Sequence, residues 1–407
     1  MRAYERLIKY TKHETASDSA VNASPTTPEQ LLFAKALEKE LLGLGVTDVV
    51  VDENGYVTAS LPATKGYEDC TPIGFIAHMD VSAEVSCSDV KTEVIEDYKG
   101  QDILLTGSGE YMSPNEYPEL KNYIGKSILV TDGTTLLGAD DKAGIAEIMS
   151  AIEYVINNDM PHGPVKIAFT PDEEIGSGAA LLNIEKFGAK YAYTLDGAGF
   201  GDISWENFNA TSAIINVKGF NIHPGSAKDK MVNASLIAAY ITTLLPEDAR
   251  PDTTEGRQGF YHLIGMKGDV ENATLTYIIR DHDRAKIDEK HTVLENIVCD
   301  VQRKYPNAQI NLTFSESYRN MGEIIRKDMY PVEVARKAIN SLGGVARDIP
   351  TRGGTDGARL SFRGLPCPNL GTGSHNHHSV YEYACIEEMD KCTEMVLEII
   401  KIYSKRD

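Results

Sequence analysis

The 407-residue sequence has no C-x-x-C pair. Its six cysteines, Cys70, Cys87, Cys299, Cys367, Cys385 and Cys392, are scattered. That usage predicts reduced, mostly buried thiols in a cytoplasmic protein. A thiolate zinc site is not supported, so any metal has to be held by His, Asp and Glu. The N-terminus, Met1-Arg2-Ala3-Tyr4-Glu5-Arg6, lacks the apolar core of a signal peptide. No run approaches the ~18 apolar residues a membrane helix needs. Positive charge is short as well: 40 Lys and Arg stand against 60 Asp and Glu, a formal net charge of -20. Such a surface repels phosphate backbones and anionic headgroups, so neither nucleic acid nor membrane is expected as a partner. No internal repeat or low-complexity tract is visible.

What is present is the profile of a globular protein, 42% hydrophobic and 25% charged. The length exceeds one ordinary core and predicts two domains. Thr27-Pro28-Glu29-Gln30 opens the first helix, with Thr27 as cap, Pro28 in the first turn and Gln30 closing a capping box. Ile73-Gly74-Phe75-Ile76-Ala77 reads as a buried strand ending at His78. A helix with one buried face, through Ile145, Ile148, Met149, Ile152, Val155 and Ile156, follows Asp140-Asp141. Two further strands end just before Pro171-Asp172-Glu173-Glu174 and at Asp196. After about residue 208 the pattern changes to strand 213–218, helix 233–245, strands 261–267 and 273–281, helix 284–303 and strand 309–314. This β-α-β-β-α-β order forms a small domain on its own. The expected fold class is α/β: a large mixed-sheet domain built from 1–208 and 320–407, with a smaller α+β domain, 209–319, inserted in it.

The polar clusters His78 and Asp80, Asp140 and Asp141, Glu173 and Glu174, and Asp196 sit at or just after apolar segments. In open α/β sheets that is where the ligand crevice lies. So many carboxylates repel one another unless something positive neutralises them, and a divalent metal pair does so. Imidazole and carboxylate donors without thiolate suit zinc, with cobalt or manganese as alternatives. Alternate residues of an extended chain point the same way, so Asp80 can stand behind His78 and take its other ring N–H. Of Glu173 and Glu174, one can bind metal while its neighbour works as general base. Each cluster also has a plain reading: Asp140-Asp141 as helix caps, Glu173-Glu174 as an acidic turn, Asp196 as a turn aspartate. Further polar islands are His375, His377 and His378, then His223, Arg280 and the Gly-rich loop carrying Arg352.

His78-Met79-Asp80, Gly138-Ala139-Asp140-Asp141-Lys142-Ala143-Gly144, Thr170-Pro171-Asp172-Glu173-Glu174 and Asp196-Gly197 stand in this order. Together they resemble the co-catalytic di-zinc aminopeptidase/carboxypeptidase superfamily. The longer strings, among them Gly259-Phe260-Tyr261-His262-Leu263 and Arg352-Gly353-Gly354-Thr355-Asp356-Gly357-Ala358, resemble its tripeptide-cleaving aminopeptidases over nearly the whole chain. The resemblance implies two Zn2+ per subunit, one held by His78 and Asp196, the other by Glu174 and His378, with Asp140 bridging. It implies Asp80 as the residue that orients His78, and Glu173 as general base. His378 is the implied ligand because the family pattern is a His four residues before a Glu, here Glu382. The histidines at 375 and 377 stand where aromatic residues are more usual, and His375 or His377 is expected to touch substrate. In the inserted domain, which the resemblance makes a lid and dimerisation domain, His223 would reach the oxyanion. Arg280 and Arg352 would hold the C-terminal carboxylate of a small peptide. The implied protein is a homodimer that releases the N-terminal residue from unblocked tripeptides. A dipeptidase, a carboxypeptidase or an N-acyl amino acid deacylase remains open on the same site.

Overall fold

Every residue from Ile73 to His78 is buried, because this strand has a parallel neighbour on each side and is covered on both faces. Val165–Thr170 lies on one side and Tyr191–Gly197 on the other. His78 pairs in register with Thr170, and Ile76 with Thr194. His78, the turn after Thr170, and Asp196 therefore leave the sheet at the same edge, the carboxyl ends of three adjacent parallel strands. The full sheet has eight strands in the order Asp48–Val51, Val57–Leu61, Val165–Thr170, Ile73–His78, Tyr191–Gly197, Asn369–Gly371, Asp202–Ser204, Arg347–Asp348. It is mixed: Val57–Leu61 runs antiparallel to Val165–Thr170, and Asp202–Ser204 antiparallel to Asn369–Gly371.

The computed structural model describes residues 1–405. The sheet belongs to a unit made of Met1–Trp205, Glu323–Ile349 and Thr355–Asp407. Helix Ala139–Asn157 packs on the sheet and is covered in turn by helices Ala3–Tyr10 and Ile386–Tyr403. The periodicity predicted one buried face; the helix is buried nearly all round because it lies between two layers. At Gly144 it meets the strand so closely that a Cβ would lie 2.1 Å from the Leu195 carbonyl oxygen. The clash is with backbone, so only glycine fits there.

Helix Pro28–Gly43 begins where Thr27 and Pro28 predict, but the capping box does not form. The Thr27 hydroxyl donates instead to the Ala16 carbonyl, and the Gln30 amide is drawn to Asp172. A second sheet of short strands, in the order Ser374–His375, Tyr383–Cys385, Ile128–Thr131, Thr92–Ile95, frames the segment that carries His377, His378 and Glu382. Strands of two to four residues give too little periodicity to be read from sequence.

The smaller unit comprises Glu206–Gly322 and Pro350–Gly354, so Arg352 clusters with it. Its four-stranded antiparallel sheet runs Phe260–Gly268, Asn272–Asp281, Asn209–Lys218, Gln309–Tyr318. Helices Ala234–Thr242 and Arg284–Lys304 bury Ile237, Ile241, Ile287 and Leu294 against Ile215, Leu275 and Ile279 of the sheet. The strict alternation of burial along Asn272–Asp281 is that of a sheet with one covered face. The βαββαβ order read from the sequence is the order found. Among the described residues no helix is long and apolar enough to cross a membrane.

Candidate active site

At the end of its strand His78 is 2% exposed, and its ring is held from one side. Nδ1 lies 3.0 Å from the Asp80 backbone carbonyl and 3.5 Å from the Asp80 carboxylate. Donating Nδ1–H there leaves Nε2 as an acceptor. Nε2 faces Asp140 Oδ1 at 3.0 Å and Asp196 Oδ1 at 3.7 Å. Asp140 sits at the mouth of helix Ala139–Asn157 with non-helical backbone angles, and its peptide to Asp141 is cis. Its other oxygen, Oδ2, lies 3.4 Å from His378 Nε2. The Asp140 carboxylate thus stands between His78 and His378.

The turn after strand Val165–Thr170 brings in two more carboxylates. Both oxygens of Asp80 accept from this turn, from Glu173 N at 2.9 Å and Glu174 N at 3.1 Å. Asp80 therefore serves two neighbours: its carbonyl holds His78, and its carboxylate fixes the directions of Glu173 and Glu174. Glu174 Oε2 is 2.8 Å from His378 Nε2. The Glu173 side chain is half-buried and makes no hydrogen bond among the described residues.

This donor set fits divalent cations. His78 Nε2, Asp140 Oδ1 and Asp196 Oδ1 converge, and an imidazole that donates Nδ1–H to the Asp80 carbonyl can offer Nε2 to a cation. On the other side of Asp140, Glu174 and His378 Nε2 close in, and Glu174 Oε1 is buried with no hydrogen-bond partner. His78, Asp140 and Glu174 offer ligand atoms within 4.8 Å of one another, as do His78, Asp141 and Asp196. A buried acceptor cluster of this kind is costly unless a cation or protons neutralise it. Nitrogen and oxygen donors without thiolate fit zinc, cobalt or manganese.

The charges behave accordingly. Burial pushes Asp196 up to about 6, and raises Asp141 and Glu173 well above the usual carboxylate range, with Asp196 adding to both. Burial also raises Glu174, against the pull of His378. Asp140 goes the other way: burial works against its charge, but His377, His378 and His78 hold it well below the usual range. The Asp140 and Glu174 carboxylates push His378 up to about 11. Lys142 donates Nζ to the His13 carbonyl at 2.6 Å, and burial draws it down to about 8 against the pull of Glu382 and Asp80.

His375 and His377 part company. His375 stacks on Tyr383 with Nε2 2.5 Å from the Tyr123 hydroxyl, and burial draws it down to about 3. His377 bonds Ser374 Oγ through Nε2 and has Nδ1 3.5 Å from Asp140 Oδ2, at the edge of the cluster. In the smaller unit His223 is exposed, with Nδ1 accepting from Gly225 N. Arg280 donates one Nη1 bond to the Arg352 carbonyl, and its Nε is buried without a partner. Arg352 is engaged at both ends, with Nη1 on the Gly256 and Gln258 carbonyls and Nη2 on Thr254.

Four residues around the cluster do not stand out in the sequence as site residues. Asp141, which belongs to a polar cluster in the sequence but has no role of its own there, accepts from the His78 backbone N–H at 3.0 Å. Glu382, which reads only as a marker for His378, accepts from Gly138 N and Asp140 N. Asp172, in the left-handed region with φ +58, is anchored by Thr26 and Gln30. Asp356 accepts from Thr170 Oγ1 and Ala179 N. The signal was the density of acidic residues in these motifs, more than a metal site requires as ligands.

The pattern of peptidase family M20/M25/M40 matches residues 131–402. The chain is 51% identical over 407 residues to the peptidase T of Caldanaerobacter subterraneus subsp. tengcongensis, covering 100% of this chain and 99% of the relative. Among solved structures, an aminopeptidase from Bacillus cereus superposes with a TM-score of 0.78 at 24% identity, covering 99% of this chain and 98% of that one. A tripeptidase from Staphylococcus aureus superposes with a TM-score of 0.80 at 22% identity, covering 100% and 98%. At these identities the structural likeness is one of fold.

Proposed function

The chain belongs to peptidase family M20/M25/M40, and from that premise we propose that it is a metallo-aminopeptidase releasing the N-terminal residue from unblocked tripeptides. The observation that carries the chemistry is the convergence of the His78 and His378 imidazole nitrogens with the carboxylates of Asp140, Asp196 and Glu174 in one cluster, where Glu174 Oε1 is buried without a partner. The substrate class is supported by whole-length identity to a peptidase T.

We assign two zinc ions per subunit, one to His78 and Asp196, one to Glu174 and His378, with Asp140 serving both. When bound, such a pair supplies Lewis-acid polarisation of a carbonyl and lowers the pKa of water. The protein's own part is to place and move protons. Glu173, whose carboxylate is left without a partner and made more basic by burial and by Asp196, takes the proton of the attacking water. It then returns that proton to the leaving amine. Asp80 keeps Glu173 and Glu174 turned apart through their backbone N–H groups.

In the smaller unit, His223 is the donor we assign to the oxyanion, and Arg280 the partner of the substrate carboxylate. Arg280 has an unpartnered Nε for that purpose, whereas Arg352, bonded at both ends, is assigned to holding the loop around Gly256. The test is Arg280→Ala on a free tripeptide and on the same tripeptide amidated at its C-terminus. Loss of a charge-assisted bond is expected to lower kcat/KM on the free acid by about 10–100-fold, the equivalent of roughly 1.5–3 kcal/mol. The amide should change little. Equal losses on both substrates would remove Arg280 from the carboxylate.

Cytoplasmic location and a homodimer paired through the smaller unit go with this reading. The second is supported by exposed Phe220, Leu236, Ile264 and Met266 on that unit.

A further inference from the structure

The segments that carry ligands also carry carboxylates that hold the backbone of the next segment. Asp80 accepts from Glu173 N and Glu174 N. Asp141 accepts from His78 N. Glu382 accepts from Gly138 N at 2.6 Å and from Asp140 N at 3.0 Å. The order of these clamps runs from the segment with His378 and Glu382, to the turn at 138–141, to His78-Met79-Asp80, to Glu173-Glu174. A site so interlocked has its ligands aimed by hydrogen bonds that exist before any ion arrives.

Glu382 has the greatest leverage in this chain. It is 1% exposed, and both of its oxygens meet backbone N–H groups. One of those N–H groups belongs to Asp140 itself, the residue whose side chain stands between His78 and His378. Glu382 also lies four residues after His378 on the same short segment, between the strands Ser374–His375 and Tyr383–Cys385. The backbone of Asp140 is therefore referenced to the segment that supplies His378.

We propose that Glu382 is a positioning residue: by holding the N–H groups of Gly138 and Asp140 it sets the Asp140 carboxylate opposite His378. It thereby governs the metal position formed with Glu174 and His378 more than the one formed with His78 and Asp196. The inference rests on the metallopeptidase reading above. His78 and Asp196 are delivered by the ends of adjacent parallel strands and keep their places without Glu382. His378 comes from a segment tied to Asp140 through Glu382, so the bite between them depends on that carboxylate.

The experiment is a zinc titration of metal-free wild type, Glu382→Ala and Glu382→Gln by calorimetry, with thermal unfolding in parallel. Wild type is expected to show two classes of site. Glu382→Ala should keep one class near its wild-type affinity and weaken the other by about 10–100-fold, the range for residues that orient metal ligands. Glu382→Gln keeps a carbonyl oxygen for one of the two N–H groups and should fall between them. On a tripeptide, kcat should fall with occupancy of the weaker class while KM changes little. If the alanine variant does not fold, selective weakening of one class in Glu382→Gln carries the test. Unchanged affinities in both classes, or equal weakening of both in step with a lower Tm, would overturn the proposal. A wild type that binds zinc beside an indifferent Glu382 variant defeats this inference alone. A wild type that takes up no zinc defeats the metallopeptidase reading and the inference with it.

Discussion

Glu173→Gln is expected to lower kcat on a tripeptide by about 10²–10⁴-fold, the contribution usual for a general acid–base group, while metal content stays at the wild-type level. Glutamine keeps the shape and the backbone N–H that Asp80 accepts. What it loses is a carboxylate able to take a proton from water and give it to the leaving amine. The surroundings of Glu173 favour that proton transfer. Burial, then the charge of Asp196, lifts Glu173 well above the usual carboxylate range, which makes its anion a better base near neutrality. Its neighbour Glu174, facing His378 at 2.8 Å, has the other role. Glu174→Gln should therefore lose metal, and the contrast between the two variants separates base from ligand. Metal analysis beside steady-state kinetics reads both. Wild-type turnover in Glu173→Gln would move the base elsewhere.

Asp140→Ala is expected to reduce turnover to background and to strip both metal positions together. Among the described residues no other carboxylate has one oxygen on His78 and the other on His378. Removing it also frees the two imidazoles from the anion that sits between them. Asp196→Ala, by contrast, should leave the position at Glu174 and His378 largely filled. The measurement is metal stoichiometry after dialysis, compared across the two variants. Retention of one full equivalent in Asp140→Ala would contradict a bridging role.

The parallel strands ending at His78, Glu173-Glu174 and Asp196 were legible because a doubly covered strand is a continuous apolar run, and its polar end stands out against it. The inserted βαββαβ unit was legible for a related reason: its strands alternate and its helices repeat over ten to twenty residues. The second sheet was not, since strands as short as Ser374–His375 carry no period. The capping box at Thr27 failed for a tertiary reason, because Ala16 and Asp172 compete for the same side chains.

Within the cluster, the motifs singled out side chains that the fold brings together, but not which neighbours hold them. In the sequence Asp141 is a member of an acidic pair and Glu382 the marker for His378, and only folding brings them under the N–H groups of His78, Gly138 and Asp140. Arg352 looked equivalent to Arg280 as a lone guanidinium, and the carbonyls of Gly256 and Gln258 distinguish the two.

Metal-dependent tripeptide cleavage is tested best by the rate of release of the N-terminal residue from free di-, tri- and tetrapeptides of one composition. The rates are taken before and after metal removal by chelator, and again after zinc is restored. A clear maximum in kcat/KM at the tripeptide is expected, with loss of activity on metal removal and recovery with zinc. Hydrolysis that survives chelation, or no preference for the tripeptide over its shorter and longer neighbours, would contradict a zinc tripeptidase.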